Sequence, residues 1–365
     1  MLSLLSSMNS ASAQERSFIT NGRLFLGTES NRSACVRIGD FDGDQDLDVV
    51  VANGRHWPQQ NFIFFNQGRA KFNLARPLGQ DRSTSYATEF ADLDNDGDLD
   101  IAVGNDTAPN AIFLNDGQGH FKYHGTFGQP SSIRSLTLAD IDQDGDVDIL
   151  ANARGTQNLI YFNDGVANFS TTRPFGNAND STIDVAVGDV NHDGHPDLVL
   201  ANRDGQPNVI LLNDGLAHFH QRIPFGTGHD ETRAVAVVDL DGDGLLDWVT
   251  GNIGQPNAIY FGDGKGGVRE SLNFGRGDGQ TYTLAIADMD NDDLPDIIVG
   301  NNAQPNAVFF NQGEGKSFRE VRFGDASQRT YSLDVGDLNQ DGYADIAIAN
   351  SDGQNHVYLN FPLRQ

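Results

Sequence analysis

Seven times along the chain an acidic loop of one design opens on an aspartate: Asp40, Asp92, Asp140, Asp189, Asp239, Asp288 and Asp337. The intervals between these positions are 52, 48, 49, 50, 49 and 49 residues. A fixed period of this size constrains a fold more than length does, because each unit must bury its apolar surface against its neighbours. Two further markers keep the same phase. An apolar residue and a glycine precede each loop: Leu26-Gly27, Leu78-Gly79, Phe127-Gly128, Phe175-Gly176, Phe225-Gly226, Phe274-Gly275 and Phe323-Gly324. An apolar residue with asparagine, or once glycine, follows it: Phe65-Asn66, Leu114-Asn115, Phe162-Asn163, Leu212-Asn213, Phe261-Gly262, Phe310-Asn311 and Leu359-Asn360. Three markers in register over seven copies define a seven-fold repeat protein.

Each unit reads as four short strands. The first alternates apolar and polar residues before the acidic loop, as in Thr281–Ala287. The second is the apolar run that begins at the last acid of the loop, such as Asp296–Gly300. A turn rich in Asn, Gln and Pro leads to the third, and a Gly-rich turn to the fourth. Four-stranded units at this period, with no helical segment between them, predict an all-β fold, a seven-bladed β-propeller of four-stranded blades. The seventh unit stops after its third strand at Asn360, and Arg16–Gly27 matches the fourth strand of the others. The N-terminal strand is therefore expected to close the last blade and remove an exposed edge.

These loops and markers resemble the FG-GAP (also called VCBS) repeats, whose calcium-binding loops occur in integrin α-chain propellers and many bacterial secreted proteins. The resemblance covers about residues 16–360. It specifies the fold closely and the function poorly, because such repeats serve unrelated proteins.

Alternate acids in a tight loop aim several hard oxygens at one point, which suits Ca²⁺. At positions 1, 3, 5 and 9 the first loop offers Asp40, Asp42, Asp44 and Asp48, and the second Asp92, Asp94, Asp96 and Asp100. The third offers Asp140, Asp142, Asp144 and Asp148. The fourth has Asp189, Asn191, Asp193 and Asp197, and the fifth Asp239, Asp241, Asp243 and Asp247. The sixth has Asp288, Asp290, Asp292 and Asp296, and the seventh Asp337, Asn339, Asp341 and Asp345. Solvated acidic turns are the competing explanation, but random surface acids do not keep a two-residue spacing seven times. The family pattern implies a backbone carbonyl at position 7 as a further ligand. EF-hands compete for the motif, yet they need an acid at position 12, where the second loop has Val103. Up to seven Ca²⁺ ions are expected, in a structural role. A catalytic metal keeps an open position beside a base, which seven repeated loops do not suggest. Position 6 is Gln45 in the first loop and Asp293 in the sixth instead of Gly. The first loop is therefore expected to be the weakest or the most distorted, with Gly43 letting it curl differently.

Family topology implies that the acidic loops lie on one face and the remaining inner loops on the other. Six residues before each first ligand stand Ala34, Tyr86, Arg134, Ile183, Arg233, Tyr282 and Tyr331. At the start of the innermost strand these side chains would converge on the axis, as a ligand site or simply as a plug. One loop is three residues longer than its equivalents, Asn53–Asn61, and carries His56 and Trp57. Trp57 is a candidate sugar-stacking or partner-binding residue, and His229 lies on the same expected face. The tripeptide Arg276-Gly277-Asp278 arises from ordinary loop composition and is given no role.

The formal charge of −27 excludes nucleic-acid binding, which needs Lys and Arg on phosphates. Seven Ca²⁺ would carry +14 and leave −13. No stretch approaches the ~18 apolar residues of a membrane span. Cys35 stands alone, so no internal disulfide forms. Residues 1–13 lack charge, include a Leu-rich run and end in Ala11-Ser12-Ala13. That is a small-residue cleavage pattern, read as an export signal although no basic residue precedes it; the alternative is a frayed tail. Residues 14–365 would then form a single propeller, secreted or periplasmic. The expected function is a calcium-stabilised binding module for carbohydrate or a protein partner, on the face opposite the calcium loops. The alternative is a polysaccharide lyase acting on uronate-containing glycans at the channel mouth.

Overall fold

The computed structural model describes residues 15–363; the expected export segment lies outside them. Among the described residues every regular element is a strand, and none is a helix. Five four-stranded antiparallel sheets follow one another along the chain. The second unit is typical, with strands Ser85–Ala91, Asp100–Asn105, Asn110–Leu114 and Lys122–Phe127. In every unit the second strand is buried on both faces. Asp100–Asn105 has no exposed residue, and neither do its six counterparts in their first six positions. Between its opening Asp and its last residues such a strand is mainly apolar, because sheets pack on both of its faces.

The two ends of the chain share a larger sheet. Strand Asp345–Pro362 pairs first with Thr330–Gly336 and then, in its second half, with the N-terminus. There Arg16↔Pro362 and Ile19↔Leu359 are in register, followed by Phe25↔His356 and Leu26↔Asn355. Strand Phe25–Gly39 then runs on to pair with Asp48–Asn53, so one continuous strand passes from the last unit into the first. The N-terminal strand takes the position of the fourth strand that the last unit lacks.

The first strands of successive units pack against one another in order, and that of the last unit packs against that of the first. Apolar clusters fill the seams between units. The seam between last and first gathers Leu24, Leu26, Val36, Leu338, Ala347 and Val357. The glycine of the second marker has a left-handed backbone in all seven copies, φ +65 to +84°, which an L side chain adopts at a cost.

The asparagine of the third marker is a clasp between units. Asn115 Nδ2 donates to the carbonyl of Phe41 in the preceding loop, at 2.9 Å. Asn163, Asn213, Asn311 and Asn360 make the same bond to Leu93, Ile141, Leu240 and Met289. Asn66 reaches Leu338 at 2.8 Å, joining first unit to last. The fifth unit has Gly262 instead: a Cβ there would stand 2.1 Å from the Leu246 carbonyl oxygen.

Candidate functional site

All seven acidic loops share one backbone design. The residue at position 6 donates its N–H to the first aspartate in each, from Gln45 to Asp40 at 3.0 Å through to Gly342 to Asp337 at 2.8 Å. Positions 4 and 6 are left-handed throughout, Gln45 at φ 71° and Asp293 at φ 67° among them. The first loop keeps this left-handed frame but differs in one bond: the position-5 amide reaches the first aspartate in the other six loops, whereas in the first Gly43 N–H, not that of Asp44, donates to Asp40. Gly43 has the same left-handed backbone as Asn95, Gln143 and His192 at that position. Gln45 is forced into the shared shape, at a cost of order 1–2 kcal/mol.

The ninth residue is buried in every loop, and each of its two oxygens accepts a backbone amide. Asp100 accepts from the amides of Leu93 at 3.0 Å and Asn115 at 2.8 Å. Asp48, Asp148, Asp197, Asp247, Asp296 and Asp345 repeat the pattern. It ties the acidic loop to the end of the third strand. Even so, burial raises Asp48, Asp148, Asp296 and Asp345 to about 7, and Asp100, Asp197 and Asp247 to about 6. Neighbouring carboxylates add to the rise.

The third residue has what the ninth lacks, an oxygen with nothing to accept from. Asp42, Asp94, Asp142, Asp241 and Asp290 each keep a buried carboxylate oxygen without a hydrogen-bond donor. An orphaned buried carboxylate is costly unless a cation meets it. In four of these loops, those of Asp42, Asp94, Asp142 and Asp241, this residue also belongs to a group of three carboxylates whose oxygens lie within 4.8 Å of one another. The donor set, hard oxygens only, fits Ca²⁺. In the two loops with asparagine the amide turns to a neighbouring acid: Asn191 to Asp193 at 2.9 Å, Asn339 to Asp345 at 3.4 Å. In the fifth, Arg269 pairs with Asp241 and Asp243.

The seven residues at the start of the innermost strands do converge. Ala34, Tyr86, Arg134, Ile183, Arg233, Tyr282 and Tyr331 all line one cavity of only ≈ 70 Å³. The local cause is a bulge. In every unit the pairing of first and second strands skips one residue, as between Ser85 and Ala87, and the skipped residue is the one that faces the cavity. A bulge re-aims a side chain that the regular pleat would place elsewhere.

The aromatic and cationic members interlock. Arg134 lies 4.4 Å from the centre of the Tyr86 ring, Arg233 5.0 Å from Tyr282 and 5.5 Å from Tyr331, and Arg55 4.2 Å from Tyr331. Tyr282 and Tyr331 meet edge to face at 4.9 Å. His56 holds the Tyr86 hydroxyl at 2.9 Å, and Asp106 bridges His56 (3.6 Å) and Arg134 (3.0 Å). Burial, then Arg55 and Arg134, push the His56 imidazole down, and burial raises the Tyr86 phenol. The pair is therefore uncharged near neutral pH. Trp57, next in chain to His56, is 63% exposed with Arg32 5.7 Å from its ring.

Below this layer lies an acidic one. Arg37 forms a two-pronged pair with Glu89 at 2.6 and 2.8 Å. Asp334 accepts from the amides of Ile38 and Val335, and Asp184 from those of Val185 and Val235. Burial raises Asp184 to about 6.

Of the residues expected on this face, Trp57, His56 and His229 lie outside the cavity lining. His229 is exposed, bonds the Gly205 carbonyl at 3.3 Å and does not join the Tyr86–His56 pair. Arg276 and Asp278 pair with each other at 3.0 Å. Sequence reasoning missed Asp106, Arg55 and Asp352, the last of which gathers Arg32, Arg55 and Arg329 at 3.0–4.0 Å. Asp106 stands just beyond the second strand and Arg55 and Asp352 one residue later, at positions that carry charge in some copies, as in Arg154, Arg203 and Asp204, and none in others. Shallow pockets also recur between units, beside Gly79 and Phe113, Gly128 and Tyr161, and Gly275 and Phe309.

No curated protein matches this sequence. Among solved structures, two crystal structures of BBS1N in complex with ARL6DN, one soaked with mercury and one with lead, share its fold. Each is 13% identical and covers 94% of this chain and 96% of its own, at TM-scores of 0.63 and 0.64. These likenesses and the repeated four-stranded sheets make the fold a β-propeller. The FG-GAP-like repeat matches six overlapping segments, residues 40–103, 92–151, 147–200, 189–250, 239–299 and 288–348. The chain belongs to the FG-GAP-like repeat family.

Proposed function

We propose that this protein is a secreted, calcium-braced β-propeller of seven blades that acts as a binding module. Its ligand, carbohydrate or protein, sits at the channel mouth opposite the acidic loops. The count of seven rests on the circuit of first strands and the Asn66–Leu338 bond, the last blade being completed by Arg16–Leu26. Calcium in the acidic loops rests on the orphaned carboxylate oxygens. One observation carries the binding role. The position that repeats in place but varies in identity delivers Tyr86, Arg134, Arg233, Tyr282 and Tyr331 to one cavity, whereas the acidic loops repeat in identity and serve the frame. A protein partner is supported by the fold likeness to BBS1N, itself crystallised with ARL6DN. The exposed Trp57 supports carbohydrate.

A second reading, a polysaccharide lyase, is favoured by Tyr86, His56 and Arg134 lying together. A neutral His–Tyr pair can remove a proton while an arginine neutralises a uronate carboxylate. A glycan array in calcium, run beside polyuronate digests monitored for the ultraviolet absorbance of an unsaturated product, separates the two. Retention without product supports the binding module. Steady product formation overturns it.

A further inference from the structure

We infer that the channel mouth recognises a carboxylate, presented by a uronate residue of an acidic glycan. This rests on the reading of the mouth as the ligand site and goes beyond it by naming what the site takes.

The first observation is Arg233. Among the described residues it has neither an ion-pair partner nor a hydrogen-bond acceptor; its guanidinium lies against the rings of Tyr282 and Tyr331. The carboxylate below it, Asp184, is already engaged by the amides of Val185 and Val235. Burial lowers the Arg233 pKa, and the nearby Arg203 adds to the fall. A half-buried guanidinium with five donors and no protein acceptor can meet a planar oxyanion two-pronged.

The second observation is the local charge. In a chain of formal charge −27, the mouth gathers Arg32, Arg55, Arg134, Arg233 and Arg329 beside Asp106 and Asp352, and the flanking Arg154 and Arg203 pair with Asp204 and Glu231. His56 is neutral there. Seven guanidinium groups against four acids leave the rim positive, which draws in an anion.

The third is depth. The cavity is small, and beneath it Glu89, Asp184 and Asp334 outnumber Arg37. An anionic group that enters stops at the arginine layer. The site therefore takes the tip of a ligand whose remainder lies on the rim, where Trp57 offers an exposed ring. A pyranose stacks its apolar face on such a ring, and its C6 carboxylate reaches inward. An uninterrupted chain of contacts, Trp57–Arg32–Asp352–Arg55–Tyr331–Arg233, links rim to cavity.

The test is calorimetric titration of the full chain, calcium-saturated, with oligogalacturonate and with the same oligosaccharide after carboxyl reduction. Arg233→Gln, Arg233→Lys and Trp57→Phe are titrated alongside, each with its circular dichroism spectrum matched to the parent. The acidic oligosaccharide is expected to bind and its reduced form to bind at least about tenfold more weakly. Arg233→Gln loses about tenfold and Arg233→Lys less, the span of one charge-assisted hydrogen bond. Equal binding of acidic and reduced forms, sensitive to Trp57→Phe but not to Arg233→Gln, would overturn the carboxylate and leave the binding module standing. Binding of polyglutamate but not of oligogalacturonate, dependent on Arg233, would overturn the glycan. If none of these ligands binds, or if binding ignores both variants, the carboxylate fails. Only the second result also removes the mouth as the binding site.

Discussion

Leu26→Ala tests whether the N-terminal strand closes the fold in the energetic sense as well as the geometric one. Leu26 is 2% exposed and belongs to the cluster that joins the last unit to the first, with Val36, Leu338 and Val357. Its backbone is paired with Asn355 in both wild type and variant, so chain ordering is the same and only side-chain burial changes. Truncating a fully buried leucine removes its transfer energy and leaves a cavity, about 2–5 kcal/mol. That is a large share of a total of about 5–15 kcal/mol. Leu74, 37% exposed on the outer strand Leu74–Pro77, serves as control, and Leu74→Ala should cost under about 1 kcal/mol. Urea unfolding in saturating calcium, followed by circular dichroism, reads both. The Leu26 variant should lose roughly 1 M in midpoint for every ~3 kcal/mol at an unchanged slope of ~3 kcal/mol/M. A loss no larger than the Leu74 control would mean that the seam is dispensable and the N-terminal strand merely rests on the last unit.

Three further outcomes follow from particular residues. Cys35 is buried and its thiol pKa raised, chiefly by that burial, so an aromatic disulfide reagent should modify it only at the rate of unfolding; prompt reaction in native buffer would contradict the packed channel. Trp57 is 63% exposed and Trp248 fully buried, so Trp57→Phe should abolish most acrylamide quenching of tryptophan fluorescence, and unchanged quenching would misplace Trp57. Asp184 has a folded-state pKa of about 6 against an ordinary 3.8. The folded state thus holds the proton more tightly, and the stability this group contributes is full below the unfolded pKa and lost as pH rises to about 6. Relative to wild type, Asp184→Asn should gain on the order of 2–3 kcal/mol between pH 4 and 7, beyond any constant offset from its lost amide bond. A pH-independent difference between the two proteins would refute this.

The repeat architecture was legible because its markers are local. The aspartate that opens each loop and the asparagine after the third strand read directly as a period, and the matching of Arg16–Gly27 to a missing fourth strand anticipated the pairing with Leu359–Pro362. What those residues do was not legible. Asn66 and Leu338, 272 residues apart, meet only because the ends of the chain meet. Convergence of Tyr86, Arg134, Arg233, Tyr282 and Tyr331 could be anticipated from phase, but the bulge that aims them could not, since it is a property of strand pairing. Gln45 misled in the opposite direction: its residue type argues against a left-handed backbone, and the loop's hydrogen bond to Asp40 overrides that preference. The Asp106 bridge and the three arginines on Asp352 depend on side chains from different units, which no spacing within one unit encodes.

The claim on which the rest stands is that the acidic loops are a calcium brace and the mouth is separate from it. Calcium titration of chelator-treated protein, by calorimetry with the bound metal counted by elemental analysis, tests it most directly. Five ions are expected in the loops where Asp42, Asp94, Asp142, Asp241 and Asp290 keep an orphaned oxygen. Up to two weaker ions follow in the loops of Asn191 and Asn339, with unfolding temperature rising as the sites fill. Binding of no calcium, or binding that leaves the unfolding temperature unchanged, would contradict the account.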